Sequence, residues 1–215
     1  MNILLSAGPT TEPIDDVRCL TNFSSGKTGY AIARAASAAG HNVRLVSGRT
    51  CLEPPEGVEF TSILTTLELH KAIEENFEWA DCLIMAAAVS DYRPREVFEG
   101  KRKKTDEGML LELVPNPDIL SEFGAKKGDK TVVGFALEVE NGIESARDKC
   151  KRKKCDMIAL NSAASLHGED TAITLVYRDG NVRPLPATTK DETARLLVAA
   201  IDELTQTDNS AEVSR

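Results

Sequence analysis

The chain has 215 residues, 26 of them Lys or Arg and 34 Asp or Glu, giving a net charge of −8. That length fits one large domain with a true core, and 41% hydrophobic residues is ordinary for a globular rather than a disordered chain. The acidic balance argues against nonspecific nucleic-acid binding, and no apolar run approaches the ~20 residues of a membrane span.

Met1–Ser6 enters a strand-like run without a basic leader, so no signal peptide and a cytoplasmic location are expected. Cys19, Cys51, Cys82, Cys150 and Cys155 are odd in number and form no Cys-x-x-Cys pair. Neither a disulfide framework nor a zinc site is expected.

Short apolar runs alternate with helix-length amphipathic ones. Ile3–Ala7 predicts a buried strand leading into the turn-rich Gly8–Pro13, and Gly26–Ala39 an Ala-rich helix closed by Gly40. Val43–Ser47 and Val58–Ser62 predict strands, Leu67–Asn76 a helix, and Cys82–Ala88 a strand buried on both faces. Tyr92–Gly108 is polar, charged and aperiodic, a long loop read as a flap. Thr131–Ala136, Ile143–Lys153 and Met157–Leu160 continue the alternation as strand, helix and strand. Ala172–Tyr177 and Asn181–Leu185 flank an Asp179-Gly180 turn, predicting an antiparallel hairpin. Lys190–Thr205 predicts a closing helix capped by Thr188 or Thr189. The expected fold is α/β and Rossmann-like: a mostly parallel sheet with helices on both faces and a small antiparallel β appendage near the C-terminus. Residues 1–205 read as a single domain and 206–215 as a flexible tail.

In such sheets ligands sit outside the carboxyl ends of the strands. Asn22–Gly29 sets small hydrogen-bonding residues ahead of a helix. Either its free amides and the helix dipole bind an anion such as phosphate, or Ser24 or Ser25 simply caps the helix. Gly26-Lys27-Thr28 hints at a P-loop, but Thr21 stands where that motif needs glycine, and no Gly-x-Gly-x-x-Gly follows the first strand. Lys101–Lys104 and Arg147–Lys154 hold ten of the 26 basic residues, a segregation that favours a small anionic ligand over uniform solubilisation. Asp91 could orient a ligand or metal, or cap its loop. His41, His70 and His167 share no motif, so nucleophilic catalysis of the Ser-His-Asp kind has little support. Catalysis by positioning and charge stabilisation fits better.

Six segments occur in the order found in one family. Ser6–Asp15 with Val17-Arg18 and Asn22–Gly29, Ala86–Tyr92, Lys101–Lys104, Asn116–Leu120, Gly134–Glu138 and Asp156–Asn161 together resemble phosphopantothenoylcysteine synthetase over roughly residues 2–205. The resemblance implies a ligase of coenzyme A synthesis that joins 4′-phosphopantothenate to L-cysteine. It spends CTP (or ATP) with Mg²⁺ and passes through an acyl-nucleotidylate. By carry-over, Gly8, Ser24, Gly26, Gly29, Phe135 and Asn161 would hold the substrate phosphate. Asn22 would bind the carboxylate and the acyl intermediate, with Arg18 supporting its loop. Ala87, Ala88 and Asp91 would complete the carboxylate end from a neighbouring subunit, implying a homodimer with a shared site. Lys101 would reach the α-phosphate, and Pro117, Asp118, Ile119, Leu120, Phe135, Lys149 and Lys153 would bind the nucleotide together with Ala87 and Asp91. Asp16 stands where the family frequently has Pro, and Val139 where bacterial members carry Thr.

Many relatives carry an upstream flavin-dependent decarboxylase. Met1 opens directly on the synthetase strand, so that activity is expected either in a separate protein or cut away, with no FMN here. Nucleic-acid and membrane partners are not expected. An NAD(P)-binding Rossmann oxidoreductase is the alternative of another class. Against it, Tyr30, Tyr92 and Tyr177 are followed four residues on by Arg34, Glu96 and Asn181 rather than Lys. A non-catalytic nucleotide-binding regulator would keep the phosphate nest without needing Asn22 or Lys101.

Overall fold

In a computed structural model, residues 1–104, 108–138, 142–162 and 170–212 are described. Val139, His167 and residues 105–107 of the predicted flap lie outside them.

The centre is an eight-stranded sheet. Its strands are β1 (Asn2–Ala7), β4 (Asn42–Ser47), β5 (Glu59–Ser62), β6 (Cys82–Met85), β9 (Thr131–Glu138), β10 (Met157–Ser162), β12 (Ile173–Tyr177) and β13 (Val182–Pro184). The spatial order is β13-β12-β10-β9-β6-β1-β4-β5. The run from β5 to β10 is parallel throughout, and β12 and β13 are antiparallel. The predicted C-terminal hairpin is present, and it is hydrogen-bonded onto the edge of the main sheet through β10.

Alternation along β1 explains the two cores. Ile3, Leu5 and Ala7 face one layer, where α1 (Lys27–Ala38) and α5 (Lys190–Glu212) pack. Leu4 faces the other, built from α2 (Thr66–Phe77), α3 (Ile119–Lys126) and α4 (Gly142–Arg152). Each fully buried Leu or Ile contributes about 1.5–3 kcal/mol. Small residues let the first layer close up: Ala33 and Ala36 of α1 share a core with Ala194 and Ala200 of α5.

Local chemistry sets the helix ends. Thr65 caps α2 by accepting from the Glu68 amide at 3.2 Å, while the Glu68 carboxylate accepts from the Leu64 amide at 2.7 Å. Gly40, at φ +88°, follows α1 in the left-handed conformation that closes a helix. Thr189 accepts from the Glu192 amide at 3.3 Å, as the capping prediction requires. α5 then runs on to Glu212, into the stretch the sequence reads as a tail.

Three further departures have clear causes. β6 stops at Met85 instead of reaching Ala88, because Ala86, Ala87 and Ala88 turn their amides to the Ser6 carbonyl, the Ser6 hydroxyl and the Gly8 carbonyl. Two small ribbons, β2 (Thr11–Pro13) with β3 (Cys19–Thr21) and β7 (Tyr92–Pro94) with β8 (Leu113–Pro115), are too short to leave a period in the sequence. The predicted flap is therefore a long excursion between two paired strands. A last pair, β11 (Asp170–Thr171) with β14 (Thr188–Thr189), lies apart from the main sheet.

Among the described residues no helix is long and apolar enough to cross a membrane.

Candidate active site

The sheet order reverses at β1, whose parallel neighbours β4 and β6 are reached in opposite directions. A crevice therefore opens beyond the ends of β1 and β6. Two cavities fill it. The larger, about 480 Å³, is lined by Asn22–Gly29, Ala86–Ala88, Phe135–Leu137, Asn161 and Lys190. The smaller, about 250 Å³, is lined by Met85, Ala87, Val89–Asp91, Asn116–Leu120, Phe135, Lys149 and Lys153. Ala87 and Phe135 belong to both and form the wall between them.

The larger chamber is built for an anion. α1 begins at Gly26, which sits at φ +74° and offers no side-chain cap. Ser24 accepts from the Gly26 amide at 3.4 Å and makes no capping bond into the helix, so the capping alternative fails for both serines. The first-turn amides of α1 and the positive end of its dipole are thus left to face the cavity. The backbone approaches β1 closely: a Cβ on Gly29 would lie 2.5 Å from the Ala7 Cβ, and one on Gly26 would lie 3.4 Å from the Gly8 Cα. Gly8 thus packs against this turn and is not among the residues lining either cavity. Asn161, at the end of β10, has a buried Oδ1 with no hydrogen-bond partner. A buried amide oxygen left unpaired costs free energy that a ligand donor, or a flipped amide facing an acceptor, would recover.

Asn22 connects this nest to the strand-end motif: its Nδ2 donates to the Ala88 carbonyl at 3.0 Å. The same carbonyl accepts from the Thr10 amide at 3.1 Å, and the Ser90 amide donates to Thr10 Oγ1 at 2.9 Å. Asn116 Nδ2 donates to the Ser90 carbonyl at 2.9 Å, joining the two chambers' loops in one network. One chain thus brings Ala87, Ala88 and Asp91 to the site. Within the chain, the loop after β6 pairs with the loop after β1 of the same sheet through Pro9 and Ala88.

The smaller chamber is cationic on one side. Asp118 caps α3 through the Ser121 amide at 3.0 Å and also accepts from Lys153 Nζ at 3.0 Å. Lys149 Nζ donates to the Phe135 carbonyl at 2.6 Å. Lys149 in the last turn of α4 and Lys153, one residue past its end, bring both ammonium groups to one cavity. Pro117, Ile119 and Leu120 line it from the other side. Asp91 is exposed there, and its carboxylate is bonded to no described residue. Among the described residues there is no group of three or more His, Cys, Asp or Glu that could hold a metal ion.

Lys101 and Arg18 line neither cavity. Lys101 is exposed and bonded to no described residue. Arg18 was expected to support the Asn22 loop, and its guanidinium bonds go to other groups. It lies three residues after Asp15 in the β2–β3 turn, where its guanidinium donates to the buried Asp15 carboxylate and, at 2.9 Å, to the Arg102 carbonyl. Sequence reasoning missed Asp15, although the Asp-x-x-Arg spacing that allows such a turn is visible.

Comparison with known proteins places this crevice in a family. Residues 1–204 match the model of the DNA/pantothenate metabolism flavoprotein C-terminal domain. The chain belongs to that family. It is 39% identical over 194 residues to the coenzyme A biosynthesis bifunctional protein CoaBC of Bacillus subtilis, covering 88% of this chain and 48% of that protein. It is also 39% identical over 208 residues to the CoaBC protein of Vibrio cholerae, covering 94% and 52%. The chain thus spans about half the length of these relatives. Among solved structures, the C-terminal domain of a CoaBC protein superposes with a TM-score of 0.84 at 37% identity, covering 96% of each chain. A Cab2 mutant in complex with phosphopantothenate-cysteine shares the fold with a TM-score of 0.83 at 15% identity, covering 98% of this chain and 88% of that one.

Proposed function

We propose that the chain is a phosphopantothenate–cysteine ligase of coenzyme A biosynthesis, driven by CTP. The observation that carries this reading is the pair of adjoining chambers, an uncapped helix end on one side and two lysines on the other, sharing the Ala87–Phe135 wall. The likeness to CoaBC proteins over nearly the whole chain supports it.

In this mechanism the phosphate of 4′-phosphopantothenate sits on the α1 amides with Ser24, Gly26, Gly29 and Asn161 around it. Its carboxylate then reaches Asn22 at the dividing wall. The triphosphate lies in the second chamber against Lys149 and Lys153, which exchange Phe135 and Asp118 for phosphate oxygens. A carboxylate oxygen bonds to the α-phosphorus as the bond to pyrophosphate breaks. The cysteine amine then bonds to the acyl carbon, losing a proton as CMP departs. Asn22 supplies a neutral amide donor to the carboxyl oxygen through both steps. Lys101 meets the charge developing at the α-phosphate. Asp91, which lines this chamber, would help hold a Mg²⁺ ion, and such an ion would offset the triphosphate charge.

The reading includes a homodimer. Phe23, at the mouth of the larger chamber, is 101% exposed, and Val17, Val97 and Leu110 on the adjacent turn and excursion are also exposed. A partner subunit is the cover proposed for these exposed apolar side chains.

Pyrophosphate should appear when CTP, 4′-phosphopantothenate and Mg²⁺ are mixed with the protein before any cysteine is added, and cysteine should then release CMP. Pyrophosphate release that ignores 4′-phosphopantothenate would overturn the ligase assignment. Faster release with ATP than with CTP would overturn the nucleotide assignment alone.

A further inference from the structure

The excursion between β7 and β8 carries Lys101, and the β2–β3 turn grips its backbone on both sides of that residue. Asp16 Oδ2 accepts from the Gly100 amide at 3.0 Å, and the Asp16 amide donates to the Gly100 carbonyl at 3.4 Å. Asp15 Oδ2 accepts from the Arg102 amide at 3.2 Å, while Arg18 donates to the Arg102 carbonyl at 2.9 Å. Upstream, the Phe98 amide donates to the Ile14 carbonyl at 3.0 Å, and the Arg102 guanidinium lies 4.4 Å over the Phe98 ring. Both peptide groups flanking Lys101 are therefore held, while its own side chain is bonded to no described residue.

The Asp15 end of this grip is rigid. Its side chain is fully buried and also accepts from the Val17 and Arg18 amides at 2.9 and 2.8 Å. A carboxylate buried with so many donors fixes the turn and whatever is tied to it. The ties to Gly100 are exposed by comparison and weaker.

We propose that Asp15 and Asp16 are positioning residues for Lys101, fixing its backbone so that only the lysine side chain has to move to meet a ligand. This rests on the role given to Lys101 above. A flexible tether would leave the ammonium group to search, whereas a fixed pivot confines that search to four side-chain torsions and lowers the entropy lost on reaching a phosphate.

The test combines Asp15→Asn, which keeps the shape and removes the charge, with the milder Asp16→Ala. Trypsin should cut native protein slowly after Lys101 and Arg102. Either variant should raise that rate, Asp15→Asn on the order of tenfold, with the melting temperature nearly unchanged for Asp16→Ala. Unchanged cleavage in both variants would overturn the proposal. In pyrophosphate release, Asp15→Asn combined with Lys101→Gln should be no slower than Lys101→Gln alone, because the two act through one group. Losses that multiply would mean that Asp15 acts elsewhere, and would also overturn it. The cleavage measurement needs no substrate, so a protein that releases no pyrophosphate would sink the ligase reading while cleavage still decides the grip.

Discussion

In the proposed reaction Asn22 meets a carboxylate, a place that an amide can fill and a second carboxylate cannot. Asn22→Asp brings a second negative charge to within ~4 Å of a bound carboxylate, a repulsion of roughly 1–4 kcal/mol near a protein surface. Pyrophosphate release should fall by about 10²-fold with the melting curve unmoved, because Asn22 is exposed. Normal turnover would remove it from the mechanism. Asp15 makes a different prediction. The Arg18 guanidinium and neighbouring amides hold its carboxyl well below the usual carboxylate range of about 3.9. A lowered value means that the charged form is favoured by folding. Its stabilisation is complete above about pH 4 and is lost as pH falls towards the lowered value. The gap in urea midpoint between the native chain and Asp15→Asn should therefore narrow steadily below pH 4. A gap that stays constant from pH 6 to pH 3 would contradict the pairing.

At the scale of elements, the alternation of apolar runs made β1, β4, β6, β9 and β10 legible, since strands covered on both faces read as continuous hydrophobic stretches. The start of α1 was legible only in part: Asn22–Gly29 allowed either a serine cap or free amides, and Gly26 at the N-cap position leaves no side-chain cap. The ribbons β2–β3 and β7–β8 were not legible, because three residues per strand carry no period, and β7 and β8 are also separated by a long excursion. Hence Arg18 read as a neighbour of Asn22 when its bonds go to Asp15 and Arg102. The turn that follows α4 offers a sharper test of its assigned chamber. Lys153→Gln removes one of two ammonium groups there. It should raise KM for the triphosphate by about tenfold, in line with a charged hydrogen bond, and leave KM for 4′-phosphopantothenate unchanged. An effect on the second substrate alone would place Lys153 in the wrong chamber.

For the molecule as a whole, the packing of the two layers makes its thiols unequal. Burial pushes Cys150 up to about 11 and Cys155 up to about 12, and Cys82 is buried at the sheet centre. Cys19 and Cys51 are exposed, and all five are free. A thiol reagent at neutral pH should titrate two groups in the native protein and five after denaturation. A native count of four or five would show that the layers open readily.

The partition between the chambers has a kinetic corollary. In the proposed reaction, with only Ala87 and Phe135 shared between the two chambers, an activated acyl group formed on one side would be within reach of an amine arriving on the other. Little of it should escape to hydrolysis, so pyrophosphate and coupled product should accumulate in near-equal amounts even when cysteine is scarce.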